Sequence, residues 1–224
     1  KTLTNFISFD SSEIFKQAIK IFLLYSALTL AIFIILNIFS IRAFNSLNLA
    51  FSLISSGGFL PVNDLSTILV QNSQIIIFSL LMLISFFSIF LSYNLFFYKG
   101  RDINFFQEDI NLFFYLFTIF FIFFIFLNYE NNFTHIFLML TSSVSNIGFV
   151  LDNNEIDFSF VLLILVIIGG SFFSTSSGLR FLKIYSLFKY SINEILSYSR
   201  PKNIFMNKLL FSKNNFEPSE TNKY

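Results

Sequence analysis

Ser55-Ser56-Gly57-Gly58-Phe59-Leu60-Pro61 and, ninety residues later, Val144-Ser145-Asn146-Ile147-Gly148-Phe149-Val150 decide the architecture of this chain. Each stretch follows a short apolar run, 44–54 in the first case and 134–143 in the second. Apolar runs of about 10–14 residues are too brief to cross a bilayer and suit re-entrant or interfacial helices. Each run then gives way to small polar residues and a glycine. Irregular backbone at membrane depth persists only where protein or a water-filled path satisfies its polar groups. A glycine there permits dihedrals that turn carbonyls inward, where they can replace an ion's hydration shell. Taken singly, either Gly-Phe pair reads as an ordinary loop.

The surroundings make the pair specific. No charge occurs within 21–41, 65–98, 110–129 or 158–179, and each window meets or exceeds the ~20 residues a helix needs to span hydrocarbon. A soluble helix of that length would carry a polar stripe of period 3.6, and these windows do not. Four membrane spans are therefore expected. Aligning Gly58-Phe59 with Gly148-Phe149 brings the whole order span, re-entrant helix, span into register with itself. The first unit covers 1–104, with spans at about 21–39 and 74–98 and a pore segment at 44–60. The second covers 105–200, with spans at about 110–127 and 158–189 and a pore segment at 134–150; residues 201–224 form a cytoplasmic linker or tail.

Composition agrees. Of 224 residues, 55% are hydrophobic and 12% charged, with a mean hydropathy of +0.73, against about 25% charged in soluble domains. Thirty-seven Phe and no Trp, with many Asn, Ile and Lys, reflect a compositional bias and lipid-facing tolerance rather than an aromatic binding site. The absence of Cys excludes disulfide and thiol chemistry. A net charge of +1 gives no reason to expect nucleic acid as a partner. Lys1 reads as an internal start, making the chain a fragment or a processed piece of a longer protein.

Charge placement gives orientation. Of the 14 Lys and Arg, only Arg42 follows the first or third span; Lys1, Lys16, Lys20, Lys99, Arg101 and everything from Arg180 onward lie on the other side. The positive-inside rule then puts both termini and the 99–109 loop in the cytoplasm. The outer segments hold Asp64, Glu130, Asp152, Glu155 and Asp157. They form either a vestibule that concentrates cations or simply the residue of excluding basic side chains there.

The last span is interrupted by Gly169-Gly170-Ser171-Phe172-Phe173-Ser174-Thr175-Ser176-Ser177-Gly178-Leu179-Arg180. Each Gly costs a helix ~1 kcal/mol relative to Ala, so this stretch is expected to bend or open into a loop at membrane depth. Arg180 either faces a partner or wet cavity or snorkels to the cytoplasmic surface. The first unit, at Ile84-Ser85-Phe86-Phe87-Ser88, lacks such a break. No catalytic site is expected, and the chain is read as not an enzyme. His135 is the sole His and has no carboxylate pair at metal spacing, Glu108 and Asp109 read as solvated helix-start charges, and Gly169 to Gly178 lacks the Gly-Lys-Ser/Thr ending of a phosphate loop.

These residues resemble a known family. Ser55-Ser56-Gly57-Gly58-Phe59 is similar to the second-repeat filter of the Trk/Ktr/HKT superfamily of potassium transporters. The stretch 88–101 is similar to that repeat's cytoplasmic exit, Gly169 to Arg180 to the glycine-rich interruption of the third repeat, and Pro201-Lys202-Asn203-Ile204-Phe205 to the linker that follows. The likeness spans about 15–210 and is strongest to the bacterial TrkH-type transmembrane subunit. It implies an all-α membrane protein with half of a four-repeat ion-transporter fold, the second and third repeats only. It also implies K⁺ held by the backbone carbonyls of a filter at Ser55, Ser56, Gly57, Gly58, Ser145, Asn146, Ile147 and Gly148, and no cofactor. A gating loop follows at Gly169, Gly170, Ser171, Ser174, Thr175 and Gly178, ending on Arg180. Further implications are a bacterial inner membrane, the remaining two repeats or a second copy to close the pore, a homodimer of complete subunits, and a cytoplasmic nucleotide-binding regulatory subunit. Asn146-Ile147 stands where the family has Thr-Thr, Phe172-Phe173 where it has small residues, and Ser177 where it has a glycine. Ile147 removes a possible coordinating hydroxyl but keeps its carbonyl. K⁺ uptake is the leading expectation; a Na⁺-conducting relative and a non-conducting membrane structural or assembly fragment are the alternatives.

Overall fold

The computed structural model describes residues 11–87, 104–126, 133–151, 159–171 and 174–199. Expectations on Lys99, Arg101, Glu130, Asp152, Glu155, Asp157, Phe172, Phe173, the 88–101 exit and the 201–224 tail lie outside the described residues.

α1 (Ser11–Ile38) is 28 residues long, about 42 Å at 1.5 Å per residue. Its C-terminus closes when Ser40 turns left-handed (φ 61°), with Ser40 N–H donating to Asn37 O at 3.0 Å and Ile41 N–H to Leu36 O at 3.2 Å. The chain therefore reverses at once into α2 (Ala43–Ser55). After a 3-10 turn at Leu65–Thr67, α3 (Asn72–Phe86) begins with a capping box between Gln71 and Gln74. Gln74, buried, accepts from Val70 N–H at 3.0 Å and Gln71 N–H at 3.1 Å, and donates to Phe39 O at 2.9 Å. One side chain thus satisfies orphan groups at the start of α3 and ties it to the end of α1.

The second half runs through α4 (Asn104–Phe126), α5 (Phe133–Ser145), α6 (Ser159–Ile167) and α7 (Phe181–Ser199). α3 packs along α5 and also touches α1 and α2; α1 lies on α2, and α5 on α6. One apolar core joins Ile32 and Leu36 of α1, Leu49 and Leu53 of α2, and Phe78 and Met82 of α3 to Leu138 of α5 and to Ile147 and Phe149. A second gathers Leu112 and Leu116 of α4, Ile136, Leu140 and Val144 of α5, Leu165 of α6 and Phe181 of α7 around Phe86. Outward faces stay apolar, with Phe22, Leu30 and Ile34 on α1 and Phe113, Phe117, Phe121 and Phe124 on α4 exposed. Apolar surface on that scale suits lipid far better than water.

The described helices cover parts of the expected spans. Among the described residues one helix, Ala18–Ile38, is long and apolar enough to cross a membrane, and Asn72–Phe86 and Ile110–Phe124 are shorter apolar helices. α3 stops at Phe86, with Phe87 extended (φ −80°, ψ 162°), although the apolar run continues to Tyr98. The interval 158–189 is divided between α6 and the start of α7, at the expected glycine-rich interruption.

Candidate functional site

α2 and α5 are each 13 residues long and begin and end ninety residues apart. Their C-termini adopt the same geometry. Ser56 (φ 51°) and Asn146 (φ 58°) are left-handed, and so are Gly58 (φ 67°) and Gly148 (φ 85°). Ser56 N–H donates to Leu53 O and Gly57 N–H to Ser52 O; Asn146 N–H donates to Ser143 O and Ile147 N–H to Ser142 O. This crossed pair of bonds is the Schellman closure of a helix, whose left-handed position prefers Gly and then Asn. Gly58 is needed twice over: a Cβ there would collide with the carbonyl oxygen of Ile147. Gly148 meets nothing within 4 Å, so only its φ demands glycine.

The two segments thus touch, bringing Gly58 against Ile147 as the tips of two helices. Among the described residues, the carbonyls of 55–58 and of 145–148 accept no hydrogen bond. Side-chain hydroxyls are turned away: Ser55 Oγ donates to Phe51 O at 2.8 Å and Ser145 Oγ to Ser142 O at 3.3 Å. Ile147 sends its side chain into the first core, so the missing hydroxyl at that position is offset by packing while the carbonyl remains. Free carbonyls at the partly negative ends of two helices make an environment for a cation. Phe149 is 2% exposed and packs on Phe78 of α3, ring centroids 5.4 Å apart, whereas the corresponding Phe59 is 78% exposed.

The glycine-rich interruption is a folded loop. Gly169 N–H donates to Leu179 O at 2.8 Å and Leu179 N–H to Ile167 O at 2.9 Å, closing its neck. A Cβ on Gly169 would meet the Ser177 carbonyl, and one on Gly170 the Phe86 carbonyl. The loop rests on the end of α3: Ser171 N–H donates to Phe86 O at 3.1 Å, Ser176 N–H to Ser85 O at 3.2 Å, and Thr175 Oγ1 to Ser85 O at 3.3 Å. Loop and helix end satisfy each other's backbone where no water need enter.

Of the two alternatives for Arg180, a partnered side chain or one that snorkels to the cytoplasmic surface, the structure shows the first. Its Nη1 turns back into the loop and lies 3.1 Å from Ser171 O, 3.2 Å from Ser174 O, 3.1 Å from Ser174 Oγ and 3.1 Å from Ser176 O. The loop is wound around a guanidinium whose charge is met by carbonyl dipoles. Two further bonds reach the carbonyl segments. Ser56 Oγ lies 3.3 Å from Thr175 Oγ1, and Asn146 Nδ2 donates to Ser177 O at 2.9 Å. Sequence reasoning missed Ser85 and Phe86, which contribute backbone oxygens only. The one available signal was spacing, since Thr175 stands ninety residues after Ser85.

No protein-family model and no curated protein matches the chain. Among solved structures it is similar to the potassium transporter TrkH from Vibrio parahaemolyticus, with a TM-score of 0.72 and 19% identity over 96% of this chain and 48% of that one. The chain spans about half the length of that protein. The likeness is to a transporter and not to an enzyme. The described residues therefore have an all-helical, TrkH-like fold.

Proposed function

We propose that the chain forms half of a cation pathway, with K⁺ as the transported ion, lined by the backbone carbonyls of Ser55–Gly58 and Ser145–Gly148 and gated by the loop from Gly169 to Arg180. The observation that carries this reading is the contact between residues at matching positions of the two units. If a rotation relates the units, equivalent points move apart in proportion to their distance from its axis, so those in contact lie close to it. Thr175 touches Ser85, ninety residues away, and Gly58 abuts Ile147, one residue from its own counterpart. Both contacts would then lie near that axis, with the two carbonyl segments and the loop beside it. The likeness of the fold to a potassium transporter favours K⁺ over Na⁺.

The same geometry supports further units of this kind on either side. Phe149 is seated on Phe78, but Phe59 has no such seat. A groove of about 690 Å³ opens between α1 and α2, lined by Tyr25, Thr29, Phe51 and Ile54. At the matching place in the second half, Ile119 and Val144 are buried around Phe86. On this reading a preceding unit's outgoing helix would cover both the groove and Phe59. Open space beside Gly148 is where the next carbonyl would stand. Four units then enclose the path, in a bacterial inner membrane with both termini cytoplasmic. A homodimer of complete subunits and a nucleotide-binding cytoplasmic ring complete the assembly.

Rubidium uptake by cells lacking their own K⁺ uptake tests this. The chain alone should give no flux, and co-production with flanking repeats should restore it. Gly58→Ala should then abolish or redirect that uptake; flux and K⁺/Na⁺ preference unchanged by it would overturn the filter assignment.

A further inference from the structure

We propose that Asn146 and Ser56 are positioning residues that hold the intramembrane loop against the two carbonyl segments, so that the loop and the segments move as a coupled body. The inference rests on the reading of that loop as a gate. Both residues occupy the left-handed position of a helix C-cap, ninety residues apart. Backbone geometry alone would favour glycine at each. The side chains retained there point the same way, Asn146 Nδ2 to Ser177 O at 2.9 Å and Ser56 Oγ to Thr175 Oγ1 at 3.3 Å. The loop is thus gripped at positions two residues apart by residues at corresponding positions of both units.

The two grips are unequal. The Asn146 bond has ordinary amide–carbonyl length, while the hydroxyl pair is long for O–H···O. Asn146 Oδ1 is buried without a partner, an arrangement that itself costs stability. It is tolerated because turning the amide over would set Oδ1 against the Ser177 carbonyl. Arg180 holds the loop to itself, whereas Asn146 and Ser56 hold it to the pathway. Removing them should loosen the loop from the carbonyl segments without unwinding it, leaving its bonds to the end of α3 as the remaining hold.

The chain contains no cysteine, so in an assembly whose other repeats are also free of cysteine Ser176→Cys supplies a single reporter, at a position 1% exposed. The rate of its modification by a small maleimide is measured in membranes holding the assembled transporter. Asn146→Gly keeps the left-handed cap and deletes the tether, and should raise the rate about three- to tenfold, the equivalent of one lost hydrogen bond. Ser56→Gly should raise it by less, about twofold, and the double variant by at least the product of the two. Asn146→Asp, which sets a carboxylate against Ser177 O, should exceed Asn146→Gly. Unchanged rates in Asn146→Gly and Asn146→Asp overturn the proposal. A raised rate with unaltered rubidium flux keeps the tether and refutes the gate; raised rate and raised flux together support both.

Discussion

Gly58 and Gly148 occupy the same backbone state, yet Ala should harm them unequally. Forcing an L-residue into the left-handed region costs roughly 1–2 kcal/mol, and both sites bear that cost (φ 67° and 85°). At Gly58 the new Cβ also overlaps the Ile147 carbonyl oxygen. That oxygen belongs to backbone packed in the first core, so the overlap adds about 1–3 kcal/mol, as overpacking does elsewhere. Gly58→Ala should therefore destabilise the isolated 224-residue chain by about 2–5 kcal/mol, lowering its melting temperature on the order of 10 °C. Gly148→Ala meets nothing within 4 Å and should cost only the conformational part, about 3–6 °C. Thermal unfolding in detergent, followed by the survival of the monodisperse size-exclusion peak, measures both. With further units in place, a carbonyl should stand beside Gly148 and the two variants should converge. Equal losses in the isolated chain would refute the reasoning, because the Ile147 contact would then be doing nothing.

Other consequences are simpler. Arg180→Gln should unwind the loop, since hydrogen bonds to a charged donor contribute about 1.5–3 kcal/mol each; losing even one shifts the wound–unwound equilibrium at least tenfold, visible as uncontrolled rubidium leak. Phe149→Ala, in a buried site, should destabilise by about 3–5 kcal/mol, while Phe59→Ala should be near neutral in the isolated chain by the same thermal assay. Gln74→Leu removes the capping acceptor and the bond to Phe39 O, and should cost about 1–3 kcal/mol, read as a lower melting temperature.

Much of this was legible in the sequence because the informative signals were local. A short apolar run ending in small polar residues and glycine specifies a helix that stops. The expected pore segments at 44–60 and 134–150 start within a residue of α2 and α5. Gly169-Gly170 and Gly178 likewise announced the loop. The end of α3 was not legible. Ile84-Ser85-Phe86-Phe87-Ser88 contains no Gly, Pro or charge, and the Ser85 and Phe86 carbonyls are instead claimed by N–H groups almost ninety residues away. The direction of Arg180 was equally hidden, because it depends on carbonyls that converge only once the loop is wound. The contrast between buried Phe149 and exposed Phe59 follows from which unit has a neighbour, something no local pattern encodes.

On the proposed reading, the carbonyls of Ser55–Gly58 and Ser145–Gly148 hold a dehydrated cation. Crystals of the complete assembly grown in rubidium, with the anomalous signal collected at the rubidium edge, test it most directly. Peaks are expected between the two segments, within about 3 Å of those oxygens, and should be lost in Gly58→Ala. Rubidium confined to the acidic outer segments, with nothing between Gly58 and Gly148, would contradict it.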